Sequence, residues 1–349
     1  MNTTISVIIP VFNMGSSIEK SVQSLLNQDY PDFEIILVDD GSKDSSLAVC
    51  RNLEKNNANI RVFHTENRGA GPARNLGIMN AKGDFIYFPD ADDYLEPNGL
   101  TTMMNAVEGD CDLVVFGFRT ADRHGKVVRE KTYPDSVKSG DEIRKHYADY
   151  VDMSKKWGIQ GAPWNKFFKR SIIVEKGVEF PPLRRHQDEG FISRYMCYAN
   201  KVHFIPDVLY TYYVNDLGKE WDKYPPDYIE NVAQLYEIRK QTILTWNPDD
   251  DQTCAEVDKS YINKFIKALE LSFSPKRKLS FKERKKWIET QVREYNFNSI
   301  NKDVGLSKYQ RLICILLEHN SILTAELFMR IKIFAEKTGI LSKLKLHHR

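Results

Sequence analysis

Along the first third of the chain, short runs of apolar residues alternate with stretches in which apolar positions recur every three or four residues. The runs Ile5–Ile9, Glu34–Val38, Ile60–Phe63, Asp84–Phe88 and Asp112–Phe116 predict strands. The stretches between them predict helices over Ser16–Asn27, Asp44–Lys55, Pro72–Ala81 and Pro97–Val107. The strands are apolar at nearly every position, as when both faces of a sheet are covered. This β-α-β-α rhythm predicts an α/β fold with a mostly parallel, doubly wound sheet and right-handed crossovers. The middle of the chain is mixed: a β-ribbon at Val127–Thr132, the segment Gly161–Ile173, a helix opening at Gln187, and two strands, Val202–Ile205 and Val208–Val214. From about Asp216 the pattern is helical and charged, and Gly218 and Pro225–Pro226 mark a break. The expected organisation is a sheet domain over 1–215 and a helical region over 216–349.

Composition narrows the class. At 349 residues and 42% apolar, the chain can bury a sizeable core. Its longest apolar run, Leu312–Leu317, is far below the ~18 residues that span a bilayer. The opening MNTTISVIIPVFN has no basic leader region and reads as a first strand. The five cysteines (Cys50, Cys111, Cys197, Cys254, Cys314) lie far apart and follow no zinc spacing, so reduced thiols in the cytoplasm are expected. The net charge of +2 is uneven: Tyr261–Arg349 carries 19 Lys and Arg against 8 Asp and Glu, which leaves the rest acidic. A basic tail on an acidic body suggests an anionic partner such as a membrane surface. Aromatic residues are not interleaved with basic ones as in RNA binders, so no nucleic acid is expected.

Polar residues gather where the predicted strands end, which is where sheets of this type bind ligands. FPDADDY sets Asp90, Asp92 and Asp93 at one strand end. Packing like charges there is costly unless a cation compensates, and oxygen ligands suit Mg2+ or Mn2+ under a diphosphate. An Asp-rich turn is the plainer alternative. VDDGSKDSS places Asp39 and Asp40 after the second strand, where a carboxylate can accept from a pyrimidine N–H or from loop amides. Ser42 or Asp44 is suited to cap the next helix. NRGAGPARN supplies Asn67 and Arg74; a cation in a first helical turn opposes the helix dipole unless it faces phosphate or a carboxylate. RRHQDEGF places Asp188 beside Arg184, Arg185 and His186, cations that would keep it ionised as a general base, with an acidic first helical turn as the plainer alternative. Trp164 offers a flat face to a sugar or filling to the core, and core is the commoner fate of a lone tryptophan.

In order and spacing, ISVIIPVFN, SVQSLLNQDYPDFEIILVDDGSKDSS and NRGAGPARNLGIMNAKGDFIYFPDADDYLEP closely resemble the start of family 2 glycosyltransferases of the GT-A, Rossmann-like fold. The likeness is strong over about residues 5–115 and looser through WNKFFKRSII and QDEGF to about Tyr213. It implies an inverting, metal-dependent transfer from a UDP-sugar to a hydroxyl of a glycan acceptor, lipid-linked, in surface-polysaccharide synthesis, with Mn2+ or Mg2+ as cofactor. It further implies that Pro10, Val11 and Phe12 flank the nucleotide, that Asp40 reads the uracil, and that Asn67 and Arg74 lie near the diphosphate. Asp90, Ala91 and Asp92 form the D-x-D element, with Asp90 by the ribose and Asp92 on the metal. Asp188 takes the place of the base in the family's E-D-x-x-F element, with Gln187 replacing its acidic neighbour and Glu189 as a rival. Trp164 and His186 are assigned to the acceptor side. Asn215 stands where the family often has Arg or His. The implied enzyme is cytoplasmic, peripheral at the inner membrane face, and open to homo-oligomer formation. A metal-dependent nucleotidyltransferase is the competing enzymatic reading, although PVFNMGSS lacks the cation such enzymes carry. A non-catalytic sugar-nucleotide binding protein is the other.

Overall fold

The computed structural model describes residues 5–107, 109–122, 124–151, 154–159, 161–214, 227–246, 250–274 and 277–338. Asn215, the Gly218–Pro226 break and the 339–349 tail lie outside them. The chain divides into two compact units, Met1–Gly218 with Gln241–Asp249, and Lys219–Lys240 with Asp250–Arg349.

The first unit is built on β1 (Ile5–Val11), β2 (Phe33–Asp40), β3 (Ile60–Thr65), β4 (Phe85–Tyr87), β5 (Tyr94–Leu95), β6 (Leu113–Asp122), β7 (Val127–Lys131), β8 (Ser136–Ser139), β9 (Lys166–Lys169) and β10 (Lys201–Val214). Its helices are α1 (Ile18–Leu26), α2 (Ser46–Asn56), α3 (Ala70–Asn80), α4 (Gly99–Ala106), α5 (Gly140–Lys145), α6 (Arg170–Glu175) and α7 (Gln187–Met196). The sheet runs β3-β2-β1-β4-β9-β6-β10-β5, with β7 paired to β6 and β8 to β10. Its first four strands are parallel: Val7 sits opposite both Ile35 and Tyr87, and Ile36 opposite Arg61. β6 and β10 are also parallel. β9 enters antiparallel between β4 and β6, so Phe168 lies opposite both Ile86 and Leu113. The apolar strands predicted from sequence are therefore buried on both faces. α3 crosses β1 closely: a Cβ on Gly77 would lie 2.2 Å from Ile8 Cγ2, so only glycine allows this approach.

Two local expectations change. Val202–Ile205 and Val208–Val214 form one strand, β10, whose register against β6 shifts between Phe204 and Val208. Pro206 lacks a ladder N–H, and the strand absorbs it as an irregularity rather than ending there. α2 begins at Ser46, because the Asp44 carboxylate takes the amides of Ser46 (2.9 Å) and Gly15 (3.1 Å) and ties the loop after β2 to the loop after β1.

The second unit is helical: α8 (Tyr228–Trp246, up to Lys240 in this unit), α9 (Asp251–Glu270), α10 (Phe281–Glu294), α11 (Lys308–Glu318) and α12 (Ile322–Lys337). Tyr261, Phe265, Leu269, Ile288, Phe297, Ile313, Leu317 and Met329 form its core. Ser280 with Glu283 and Ser307 with Gln310 make capping boxes that start α10 and α11. Among the described residues no helix is long and apolar enough to cross a membrane.

Candidate active site

Four phenylalanines fix the geometry of the site. Phe88, at the end of β4, packs edge-on against Phe168 of β9 (5.6 Å), Phe180 (5.3 Å) and Phe191 of α7 (5.7 Å). Phe180 stacks on Phe191 at 4.0 Å. Asp90 follows Phe88 by two residues, and Asp188 precedes Phe191 by one helical turn. Carboxylates almost a hundred residues apart are thus anchored on one aromatic cluster.

Arg74 of α3 is the cation between them. It is 4% exposed, its Nη2 donates to Asp90 Oδ1 at 2.7 Å, and its guanidinium lies over Phe180. Its charge also acts on Asp188, holding that carboxyl down against other influences. The Arg74 Nε is buried without a partner.

The D-x-D loop is pinned from below. The Tyr210 hydroxyl accepts from Asp90 N (3.1 Å) and donates to Asp93 Oδ2 (2.6 Å), and Tyr213 N donates to Asp93 Oδ1 (2.9 Å). Ser21 Oγ donates to the Asp90 carbonyl at 3.2 Å, and Ala91 is buried at 3% exposed. Burial and the neighbouring Asp90 push Asp93 up to about 8. The same two causes raise Asp92. Asp90 is committed to Arg74 and Asp93 to the Tyr210 hydroxyl and the Tyr213 amide, so of the three Asp92 is the carboxylate with no hydrogen-bond or ion-pair partner among the described residues. Among the described residues no three His, Cys, Asp or Glu side chains group into a metal cage. One carboxylate facing a like charge, with water and substrate phosphates completing the shell, is how Mg2+ and its like are held, and the donor set fits that ion.

Asp188 departs from expectation in its electrostatics. His186, in a left-handed conformation at φ 63°, sets its Nδ1 2.7 Å from Glu189 Oε1 rather than against Asp188. Burial and then repulsion from Glu189 raise Asp188, with Arg74 ahead of His186 among the cations opposing them. Glu189, the rival base, is occupied by His186. Gln187 Oε1 accepts from Gly71 N at 2.8 Å, so the residue in the family's acidic position docks α7 onto the start of α3. Arg185 acts on Tyr212 together with Asp90, Asp92 and Asp93, which brings the lead-in to α7 near the D-x-D loop.

The nucleotide-side residues form a second network. Asp40, 3% exposed, accepts from the amides of Arg68 and Gly69, both at 2.8 Å. Asp39 is paired with His64 Nδ1 at 2.8 Å. Asn13 joins the two loops, its N–H bonded to Ser42 Oγ and its Oδ1 to Lys43 N. Pro10 is half-buried, Phe12 is 40% exposed and Asn67 is exposed. Val11 is fully buried in the core, which leaves its backbone as the part available to a ligand. Trp164 takes the core alternative: it is 6% exposed, stacked on Tyr210 (4.7 Å) and Tyr212 (5.6 Å), with Phe118 edge-on. Lys166, with 0% exposure, was not legible as a site residue at all.

Comparison with known proteins identifies the family and the fold. The sequence pattern described as glycosyl transferase family 2 matches residues 6–173. The putative glycosyltransferase EpsH of Bacillus subtilis is 31% identical over 67% of this chain and 67% of its own length. The glycosyltransferase GlyG of Streptococcus pneumoniae is 32% identical over 61% of this chain and 71% of its own. In fold, the chain resembles S. aureus TarS 1–349, crystallised with UDP-GlcNAc, at a TM-score of 0.67 and 19% identity over 96% of this chain and 92% of that one. Sequence pattern, relatives and fold agree: this chain is an enzyme of glycosyl transferase family 2, built on the GT-A fold.

Proposed function

We propose that the enzyme transfers a hexose or N-acetylhexosamine from a UDP-sugar to a hydroxyl of a glycan acceptor, with inversion. Asp188 accepts the hydroxyl proton as that oxygen attacks the anomeric carbon. The bond from this carbon to the diphosphate breaks on the opposite face, and UDP leaves. Arg74 holds Asp90 for the ribose. Asp40 reads the uracil with the lone pairs that the Arg68 and Gly69 amides leave open. Pro10, Val11, Phe12 and Asn67 line the nucleotide, and the Ala91 backbone sits between the two aspartates. A divalent cation, Mn2+ or Mg2+, carried by Asp92 would offset the charge that grows on the diphosphate.

The observation that carries this reading is Arg74, hydrogen-bonded to one aspartate of the D-x-D loop while its charge acts on Asp188. It supports a single cleft in which donor and base meet. TarS, of the same fold, is crystallised with UDP-GlcNAc, and PcManGT of Pyrobaculum calidifontis with GDP-Man and Mn2+ (TM-score 0.53). The test is Asp188→Asn, which should keep Mn2+-dependent UDP binding and lose turnover. Turnover near the wild-type rate would remove Asp188 from the role.

The acceptor is lipid-linked in this reading, and the enzyme works as a peripheral protein on an anionic membrane. α12 exposes Leu323, Leu327, Ile331 and Phe334, at helical spacing along one stripe. The Lys- and Arg-rich sequence from Tyr261 onward supplies complementary charge. Flotation with anionic vesicles should depend on these residues. Equal flotation after Leu327→Glu/Ile331→Glu would overturn the membrane part alone.

A further inference from the structure

Lys166 is a lysine with no exposed surface, on a strand whose sequence gives no reason to bury one. Two of its three ammonium protons go to the Ala162 carbonyl (2.9 Å) and to Asn165 Oδ1 (2.6 Å). Asn165 is itself held, its Nδ2 bonded to the Phe116 carbonyl at 3.1 Å. The cation is therefore fixed in place, with one proton uncommitted.

Its direction follows from the strand. Residues two apart in β9 share a face, so Lys166 projects on the side of Phe168. Phe168 packs on Phe191 (5.4 Å) and Tyr195 (5.0 Å) of α7. Asp188 lies one turn before Phe191, so Lys166 lies on the side of β9 that faces the first turn of α7. The charge of Asp188 acts on Lys166 and favours its ammonium form. Glu189 and His186 beside it and Arg74 from α3 act on Asp188, and Asp188 in turn acts on Lys166 from β9.

A buried lysine costs stability relative to an apolar side chain of similar length unless its charge is used. We propose that Lys166 is a positioning residue for the base: a buried ammonium, clamped by Asn165 and Ala162, that holds the Asp188 carboxylate ionised and oriented before it takes the acceptor proton. The proposal rests on Asp188 being that base. Burial works against the cation and lowers Lys166 to about 7, and the attraction of Asp188 opposes this.

The experiment compares Lys166→Met with the wild type by following the Asp188 carboxyl carbon in 13C-aspartate-labelled protein over a pH series. The resonance is assigned by its loss in Asp188→Asn. Loss of the cation should move the Asp188 titration up by about one unit or more, and thermal stability should stay equal or rise. An unmoved titration overturns the proposal. Lys166→Gln, which keeps a donor without the charge, should reproduce the shift; should Lys166→Met not fold, it carries the test. Where UDP release is measured, both variants should lower turnover about tenfold or more, move its acidic limb to higher pH and leave UDP–Mn2+ affinity unchanged. Full turnover in Asp188→Asn would defeat the assignment of the base. Loss of turnover in Asp188→Asn together with unchanged pH profiles in the Lys166 variants would defeat the role of Lys166 alone.

Discussion

The acids that the helical unit buries and the strand-end acids of the sheet unit are treated in opposite ways. In the helical unit each is matched. Glu326, 1% exposed, meets Arg284 at 3.1 Å and Arg330 at 2.8 Å. Glu270, 1% exposed, meets Lys332 at 2.8 Å and accepts from the Tyr309 hydroxyl. Asp258 meets Tyr236 and Lys240. In the sheet unit, Arg74 pairs with Asp90 and its charge acts on Asp188, while burial raises Asp92, Asp93 and Asp188 from their ordinary values. A matched acid is structure, because its partners make its charge tolerable. In the proposed function, the unmatched set serves as the seat for a cation and for a proton.

The contrast can be broken first at the base. Asp188→Asn should lower turnover by about 10^3-fold, within the range for loss of a general base, while Tm stays equal or rises. Next, Asp92→Ala should abolish the rise in Tm that Mn2+ and UDP give together. For a ligand at 100 times its Kd, that rise corresponds to about 2.7 kcal/mol. In the helical unit the costs fall on stability instead. Arg284→Ala strips a buried partner from Glu326 and should cost about 3–5 kcal/mol in urea unfolding, with kcat per folded molecule unchanged. Arg284→Met with Glu326→Leu should recover most of it, an outcome foreign to the catalytic acids, whose loss costs activity and not stability.

The pH effects are smaller. Asp188 binds its proton more tightly than an ordinary carboxylate, so kcat should rise with pH through a midpoint above the usual Asp range and flatten beyond it. Asp93 sits at about 8 in the folded chain, against the ordinary 3.8 of an unfolded one. The folded state thus holds the proton across that window. In chelator-treated protein its contribution is fully present below about 4 and lost as pH rises to about 8, so Asp93→Asn should flatten that slope in pH-dependent melting.

The parallel core was legible because strands covered on both faces write themselves as unbroken apolar runs, as Val7–Ile9 and Ile35–Val38 do. The placing of Asp40, Asp90 and Asp92 at strand ends was legible because the apolar runs stop just before them, whereas Arg74 and Asp188, on α3 and α7, were singled out by the family resemblance. Lys166 was not. In NKFFK it reads as a surface position, and it is buried only because β9 enters antiparallel between β4 and β6, a pairing no local pattern encodes. The strand β10 was split in two at Pro206 because proline is a local stop signal, whereas its pairing with β6 is a long-range fact. The cations expected to serve Asp188 came from neighbours in sequence. Arg74 and Lys166 come from α3 and β9, and only the aromatic cluster of Phe88, Phe168, Phe180 and Phe191 explains why they are near.

The most direct measurement is a crystal structure with Mg2+ and UDP bound. The account predicts the ion within about 2.1 Å of an Asp92 oxygen and of the diphosphate, with Asp188 opening onto the same cleft. An ion bound away from Asp92, or a diphosphate in a cleft that Asp188 does not reach, would contradict it.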